Sequence, residues 1–92
     1  MLEIDNNKEF KILKLNKQEI LKIGGYGICD SCNKILSNDG FMICVLFSCY
    51  CEKCYQEWYK VAINHEEDRE IEKDVYENIK SKIINAELLK WN

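Results

Sequence analysis

The stretch that decides the fold is CDSCNKILSNDGFMICVLFSCYCEKC, residues 29–54 of a chain of 92 residues. It contains two Cys-x-x-Cys pairs, Cys29 with Cys32 and Cys51 with Cys54, separated by positions 33 to 50. This separation is typical of four-cysteine zinc sites. Two tight turns that each carry two thiolates can complete a tetrahedron around one ion. The sequence therefore predicts a single structural Zn²⁺ as the cofactor.

Size and composition favour one small domain, residues 1–92, that needs a metal to stabilise its modest core. The net charge of −3 makes nucleic acid a disfavoured partner. The first seven residues lack the basic and apolar regions of a secretory signal, so we expect a reducing cytoplasm, where paired cysteines bind metal. The longest apolar run, residues 41–47, is too short for a bilayer, so no membrane association is expected. The many Ile, Lys and Asn residues suggest a bacterial or phage source.

The segment before the cysteines is predicted to begin loosely and then to form regular structure. Residues 1–9 are mostly polar, and we expect them to be flexible. Residues 10–15 favour a strand, and Asn16 with Glu19 has the pattern of a capping box that opens a short helix through Ile23. The alternative for this segment is a hairpin that turns at Asn16.

The predicted zinc finger core spans residues 26–63. A knuckle at residues 29–33 is followed by a β-hairpin, with a strand over residues 41–46 and a turn near Phe47. A helix over residues 55–63 follows, because four apolar residues share one helical face, and Cys54 lies in its first turn. These four are Tyr55, Trp58, Tyr59 and Ala62.

A second helix is predicted over residues 69–91, with a further capping box at Asn64 and Glu67. Apolar residues recur along it and make a wide stripe that is either folded over the finger or left exposed as a dimer or partner surface. The stripe comprises Ile71, Val75, Tyr76, Ile79, Ile83, Ile84, Leu88 and Trp91.

The order of knuckle, hairpin and helix resembles the treble-clef zinc fingers, and the cysteine spacing is similar to GATA-type fingers and to half of a LIM domain. The resemblance covers residues 26–63 and implies a small α+β fold, with Cys29, Cys32, Cys51 and Cys54 as metal ligands. The chain departs from the GATA pattern after the finger, where that family continues with a basic segment. Here residues 66–77 are strongly acidic.

The remaining reactive side chains give no indication of catalysis. Cys44 is expected to be a small buried residue, and Cys49 is an alternative ligand to Cys51 or, in an oxidising setting, a disulfide partner of Cys44. His65, the only histidine, is expected to be solvated. Four sulfurs would close the metal site, whereas a catalytic zinc keeps an open position, so we expect no enzyme activity.

These observations predict a non-catalytic module that binds a protein, such as a phage or mobile-element regulator or an inhibitor of a bacterial defence nuclease. One alternative is a nucleic-acid-binding finger in transcription, acting through Lys34, Lys53 and Lys60. A second alternative is a redox- or zinc-sensing switch. The residues predicted for the partner surface are Glu66, Glu67, Asp68, Glu70, Asp74, Ile79, Ile83, Leu88 and Trp91.

Overall fold

The computed structural model describes residues 1–36 and 39–89, with side chains through residue 85. It confirms a small α+β fold built on one antiparallel sheet of four strands in chain order. The strands are β1 (Leu2–Glu3), β2 (Ile12–Leu15), β3 (Gly40–Ile43) and β4 (Ser48–Tyr50). The helices are α1 (Lys17–Lys22), α2 (Glu52–Val61) and α3 (Arg69–Leu89), the last preceded by a 3₁₀ turn, Glu66–Asp68.

The sheet is apolar on both faces because helices cover each side. Alternate residues of β2 and β3 point to opposite faces. Leu13 and Met42, which pair across the strands, join the core that contains residues of α1 and α3. Ile12 and Ile43, the next pair, join a second core with Tyr55 of α2. The sheet thus separates two clusters, and the predicted aromatic face of α2 packs in the second.

Helix α1 begins as its sequence predicts. The Asn16 side chain accepts a hydrogen bond from the Glu19 N–H at 2.8 Å, and the Glu19 carboxylate accepts one from the Asn16 N–H at 3.0 Å. This reciprocal capping box satisfies two of the donors that a helix start leaves unpaired. The preference for a strand followed by a short helix is therefore confirmed over the hairpin.

Helix α3 folds back onto the sheet, which corrects part of the predicted partner surface. Ile79 and Ile83 are only 2% and 1% exposed and pack in the first core with Leu13 and Cys44. They bury their side chains within the chain itself because the sheet face would otherwise have no cover. The prediction that Ile79 and Ile83 belong to a partner or dimer surface is therefore wrong. The Leu88 side chain and Trp91 lie outside the described residues.

The N-terminal segment is held in place, in contrast to the flexibility expected of residues 1–9. Strand β1 pairs with β2, and the Ile4 N–H donates to the Ile12 carbonyl at 2.9 Å. The ammonium of Lys8 donates to the carbonyl of Ala62 at 2.9 Å and also to that of Tyr59. A lysine in a polar stretch of sequence is expected to be solvated. Here the Lys8 ammonium bonds to carbonyls at the C-terminal end of α2, where the helix dipole favours a positive charge.

The capping box predicted at Asn64 and Glu67 is wrong. The 3₁₀ turn has His65 as its N-terminal flanking residue, with no side-chain capping hydrogen bond. The Asn64 amide instead donates to the Lys8 carbonyl at 2.8 Å. The Asn64 side chain therefore bonds to the N-terminal segment and does not cap the helical segment that follows it.

Candidate metal centre

The sulfur atoms of Cys29, Cys32, Cys51 and Cys54 all lie within 4.8 Å of one another. A zinc ion with Zn–S bonds of 2.3 Å at the centre of a tetrahedron requires sulfurs about 3.8 Å apart. The Cys32 and Cys51 sulfurs, which come from different pairs, lie 3.9 Å apart. The four cysteines predicted from their spacing are thus arranged to hold a metal ion.

A miniature hairpin over residues 27–36 presents the first pair. Ile28 and Ile35 form an antiparallel bridge at its base. Within it, the Cys29 N–H donates to the Lys34 carbonyl and the Asn33 N–H donates to the Cys29 carbonyl, both at 2.9 Å. Asn33 has a φ of 64°, a left-handed conformation that asparagine tolerates better than most residues. This tight return brings the Cys29 and Cys32 sulfurs to the same side.

The second pair lies where β4 passes into α2. Cys51 is the N-cap of α2, and Cys54 lies in its first turn. The positive end of the helix dipole stabilises thiolates at this place. The Cys51 N–H also donates to the Cys29 sulfur at 3.2 Å, so a backbone group of the second pair contacts a ligand of the first.

Asp30, inside the first pair, fastens the miniature hairpin to β4. Its carboxylate accepts a hydrogen bond from the Cys49 N–H at 2.8 Å, and its own N–H donates to the Cys49 carbonyl at 2.9 Å. This contact was not predicted from the sequence. The only signal for it was an acidic residue immediately after a cysteine, and no local pattern indicates which distant N–H it accepts.

The electrostatics of the cluster favour a cation. Burial opposes ionisation of Cys29, but N–H groups of Cys32, Cys51 and Ser31 aimed at its sulfur lower its pKa to about 6. The neighbouring Cys51 sulfur raises the pKa of Cys54 to about 12. Four sulfurs this close do not all ionise unless a positive charge lies between them. A divalent metal supplies that charge and displaces the protons.

The two remaining cysteines lie outside the cluster. Cys44 is fully buried and Cys49 nearly so, as expected for small apolar residues. Burial raises the pKa of each thiol to about 12. The Cys49 sulfur fills the space beside Gly40, where a Cβ would lie only 2.5 Å from it. Among the described residues the metal-binding group contains Cys51 and not Cys49.

The acidic residues predicted for a partner surface lie on the exposed side of the 3₁₀ turn and α3. Glu66, Glu67, Glu70 and Asp74 are exposed, and Asp68 is half-buried. His65 is exposed, as predicted, and does not belong to the cysteine cluster. Glu72 differs from its acidic neighbours because its side chain is buried and its carboxylate accepts a hydrogen bond from the Lys11 N–H at 3.1 Å.

Comparison with family models, with curated proteins and with solved structures gave no significant match to the chain. Within the described residues, no helix combines the length and the apolar character needed to cross a bilayer. The interpretation of the site therefore depends on its own geometry.

Proposed function

We propose that the chain is a non-catalytic zinc-binding module of the treble-clef class that acts by binding another protein. The observation that supports the metal most strongly is the convergence of four sulfurs at distances suited to a tetrahedral ion. Zinc is preferred because four thiolates from two Cys-x-x-Cys turns are its usual structural ligand set. Cys29, Cys32, Cys51 and Cys54 would each supply one sulfur.

The proposed role of the ion is to hold the fold together. It would join the miniature hairpin of residues 27–36 to the start of α2, and α2 covers one face of the sheet. With four protein ligands no coordination position remains for substrate or water, which is the arrangement of structural rather than catalytic zinc. Metal binding would then supply part of the free energy of folding.

The proposed contact for the partner is an acidic stripe, defined as Glu66, Glu67, Glu70, Asp74 and Glu77. These side chains are exposed, and the last three recur at helical spacing on the side of α3 that faces away from Ile79 and Ile83. A stripe of one sign attracts a surface of the opposite sign. We therefore propose a basic protein surface as the partner.

One class of partner that carries such a surface is a nuclease with a basic substrate groove. An acidic module placed in that groove would exclude the nucleic acid, so the chain would act as a regulator or inhibitor. The setting proposed here is the bacterial cytoplasm, where a phage or mobile element would use the chain against a defence nuclease. The support is the charge of the stripe and the small size of the chain.

Affinity capture from a bacterial lysate tests the proposed partner contact. We expect a basic protein to be captured at low salt and to be lost at high salt, because exposed charges are screened. Capture should also be lost with Glu70→Gln and Asp74→Asn combined. The matched control is Glu52→Gln with Glu57→Gln, two exposed acids on α2. Equal capture by both double variants would contradict the acidic stripe as the contact.

A second candidate function is a redox- or zinc-sensing switch, which the exposure of Cys32 favours. Cys29 is buried, Cys51 and Cys54 are half-buried, and Cys32 is open to solvent. Oxidants reach an exposed thiolate first. Zinc release at low peroxide concentration, reversed by a thiol reductant, is the expected result under this function. Retention of zinc under the same treatment would contradict it.

A further inference from the structure

One end of the molecule, opposite in character to the acidic stripe, exposes several large apolar side chains. We define this apolar end as Tyr26, Ile28, Ile35 and Phe47. Tyr26 is 88% exposed, Ile35 74% and Phe47 59%. Ile28 and Ile35 bridge each other at the base of the miniature hairpin, so their side chains are neighbours. Contiguous exposed apolar residues mark interaction sites more often than isolated ones do.

A cavity of about 240 Å³ opens within the apolar end. Its lining includes the apolar side chains of Ile20, Ile23, Tyr26, Met42 and Phe47, together with Asp30. The backbone of residues 24–27 forms another part of its wall, because a loop rich in glycine leaves room there. An apolar hollow beside exposed aromatic rings is suited to one large apolar side chain of a partner, which is the form that binding hot spots take.

Phe47 adopts a left-handed backbone conformation that closes the turn between β3 and β4, where its N–H donates to the Cys44 carbonyl at 3.2 Å. It occupies the turn between β3 and β4 with a φ of 51°. Glycine and asparagine adopt this left-handed conformation readily, whereas a bulky residue does not. The ring gains little burial in exchange, because more than half of the side chain is exposed. The turn needs this conformation but not an aromatic side chain, so an exposed ring at this position suits a contact outside the fold.

Three lysines lie near the apolar end, and the Asp30 carboxylate is the one charged group of the described residues that lines its cavity. Lys17 lies close to Gly27, with its Cε 3.9 Å from the position of a Cβ there. Lys22 precedes the loop, and Lys34 adjoins Ile35. Among the described residues no carboxylate lies within 4.0 Å of these three ammonium groups. The nearby Asp30 carboxylate accepts the Cys49 N–H.

We propose that the apolar end is a second docking surface, which binds a peptide segment carrying one large apolar residue flanked by aspartate or glutamate. The apolar residue enters the cavity between Tyr26 and Phe47, and the acidic residues pair with Lys17, Lys22 or Lys34. This contact is separate from the acidic stripe, which attracts a basic surface. The chain would then bring an acidic segment and a basic surface together.

Selection of random twelve-residue peptides displayed against the folded full chain tests this surface. We expect enrichment of peptides with a leucine, methionine or phenylalanine next to acidic residues. A synthetic peptide of the enriched sequence should lose binding by roughly tenfold or more, in fluorescence anisotropy, when Phe47 is replaced by asparagine. Phe47→Asn should leave the thermal unfolding midpoint unchanged or higher, because asparagine tolerates the left-handed conformation.

Tyr26→Ser is the second variant, since this side chain is almost wholly exposed and its loss should weaken binding without unfolding the chain. Val61→Ser, at an apolar side chain 79% exposed on α2, is the control and should bind as the unaltered chain does. Failure to enrich any peptide, enrichment of basic peptides, or unaltered binding by both variants would overturn the proposal. So would a dimer that Phe47→Asn dissociates, or binding of a twelve-residue oligo-dT in place of the peptide.

Discussion

The Asp30 carboxylate accepts a hydrogen bond from the Cys49 N–H at 2.8 Å, and the Asp30 N–H donates to the Cys49 carbonyl at 2.9 Å. One residue between two cysteines of the first pair is therefore bonded twice to the strand that leads into the second pair. These hydrogen bonds hold the two cysteine pairs next to each other. A metal ion bound by both pairs would hold them together as well. Asp30 is thus a positioning residue of the candidate metal centre.

Replacement of Asp30 by alanine should weaken zinc binding. The variant leaves the Cys49 N–H without its acceptor, so that only the backbone hydrogen bond to the Cys49 carbonyl still joins the miniature hairpin to β4 at this point. Loss of a group that orients metal ligands typically lowers metal affinity by roughly 10- to 100-fold. Competition with a chromophoric chelator measures this affinity. Asp39→Ala is the control, because Asp39 is exposed and only approaches Lys14, at 3.8 Å. Equal zinc affinities for the two variants would contradict the positioning role.

Replacement of Glu72 by alanine should destabilise the chain. The buried Glu72 carboxylate accepts the Lys11 N–H and so joins α3 to the segment that enters β2. Loss of a part-buried hydrogen bond of this kind costs about 1 kcal/mol of unfolding free energy. Urea denaturation measures the change. Glu70→Ala, at an exposed site on the same helix, should change it by less than about 0.5 kcal/mol. A difference near zero between these variants would show that the contact does not stabilise the fold.

Alkaline pH should destabilise the fold through Cys44 and Cys49. Burial raises the pKa of each thiol from 9.0 to about 12. Between these values the unfolded chain loses the thiol protons while the folded chain keeps them. The stabilisation is therefore fully present below pH 9 and is lost as pH rises toward about 12. Urea midpoints at rising pH measure it, and Cys44→Ala should show a shallower decline than the unaltered chain. Parallel declines would contradict the assignment.

Alkylation should distinguish the cysteines by exposure. In the zinc-loaded chain, brief treatment with iodoacetamide at neutral pH should label Cys32 before the other cysteines, since it is the exposed member of the cluster. Cys44 and Cys49 should stay unlabelled while the chain is folded, because both are buried. Mass spectrometry of proteolytic peptides gives the order of labelling. Early labelling of Cys44 would contradict the burial of that side chain.

Local patterns predicted several elements and the cluster of four cysteines. The Asn16–Glu19 capping box, the strand that precedes it and the aromatic face of α2 all follow from residues close in sequence. The four-cysteine cluster follows from spacing alone, because each Cys-x-x-Cys turn fixes two sulfurs locally. Such features depend on neighbours within a few residues, which a single sequence displays directly.

Contacts between distant segments were not predictable in the same way. The side on which α3 packs depends on which sheet face lacks cover, and periodicity gives only the existence of an apolar stripe. The polar side chains of Lys8, Asn64 and Glu72 each bond to a backbone group more than fifty residues away. From residue type alone, each of these polar side chains is expected to be solvated. Their backbone hydrogen-bond partners come within reach only in the folded chain.

Metal content together with cooperativity of unfolding tests the structural role of zinc most directly. Native mass spectrometry of gently purified protein should show one zinc ion per chain. Thermal unfolding followed by circular dichroism should be cooperative in that form and lose its cooperative transition after treatment with a strong chelator, since the proposed zinc would supply part of the folding free energy. A chain that carries no metal and still unfolds cooperatively, at the same temperature with and without chelator, would contradict the proposed metal centre.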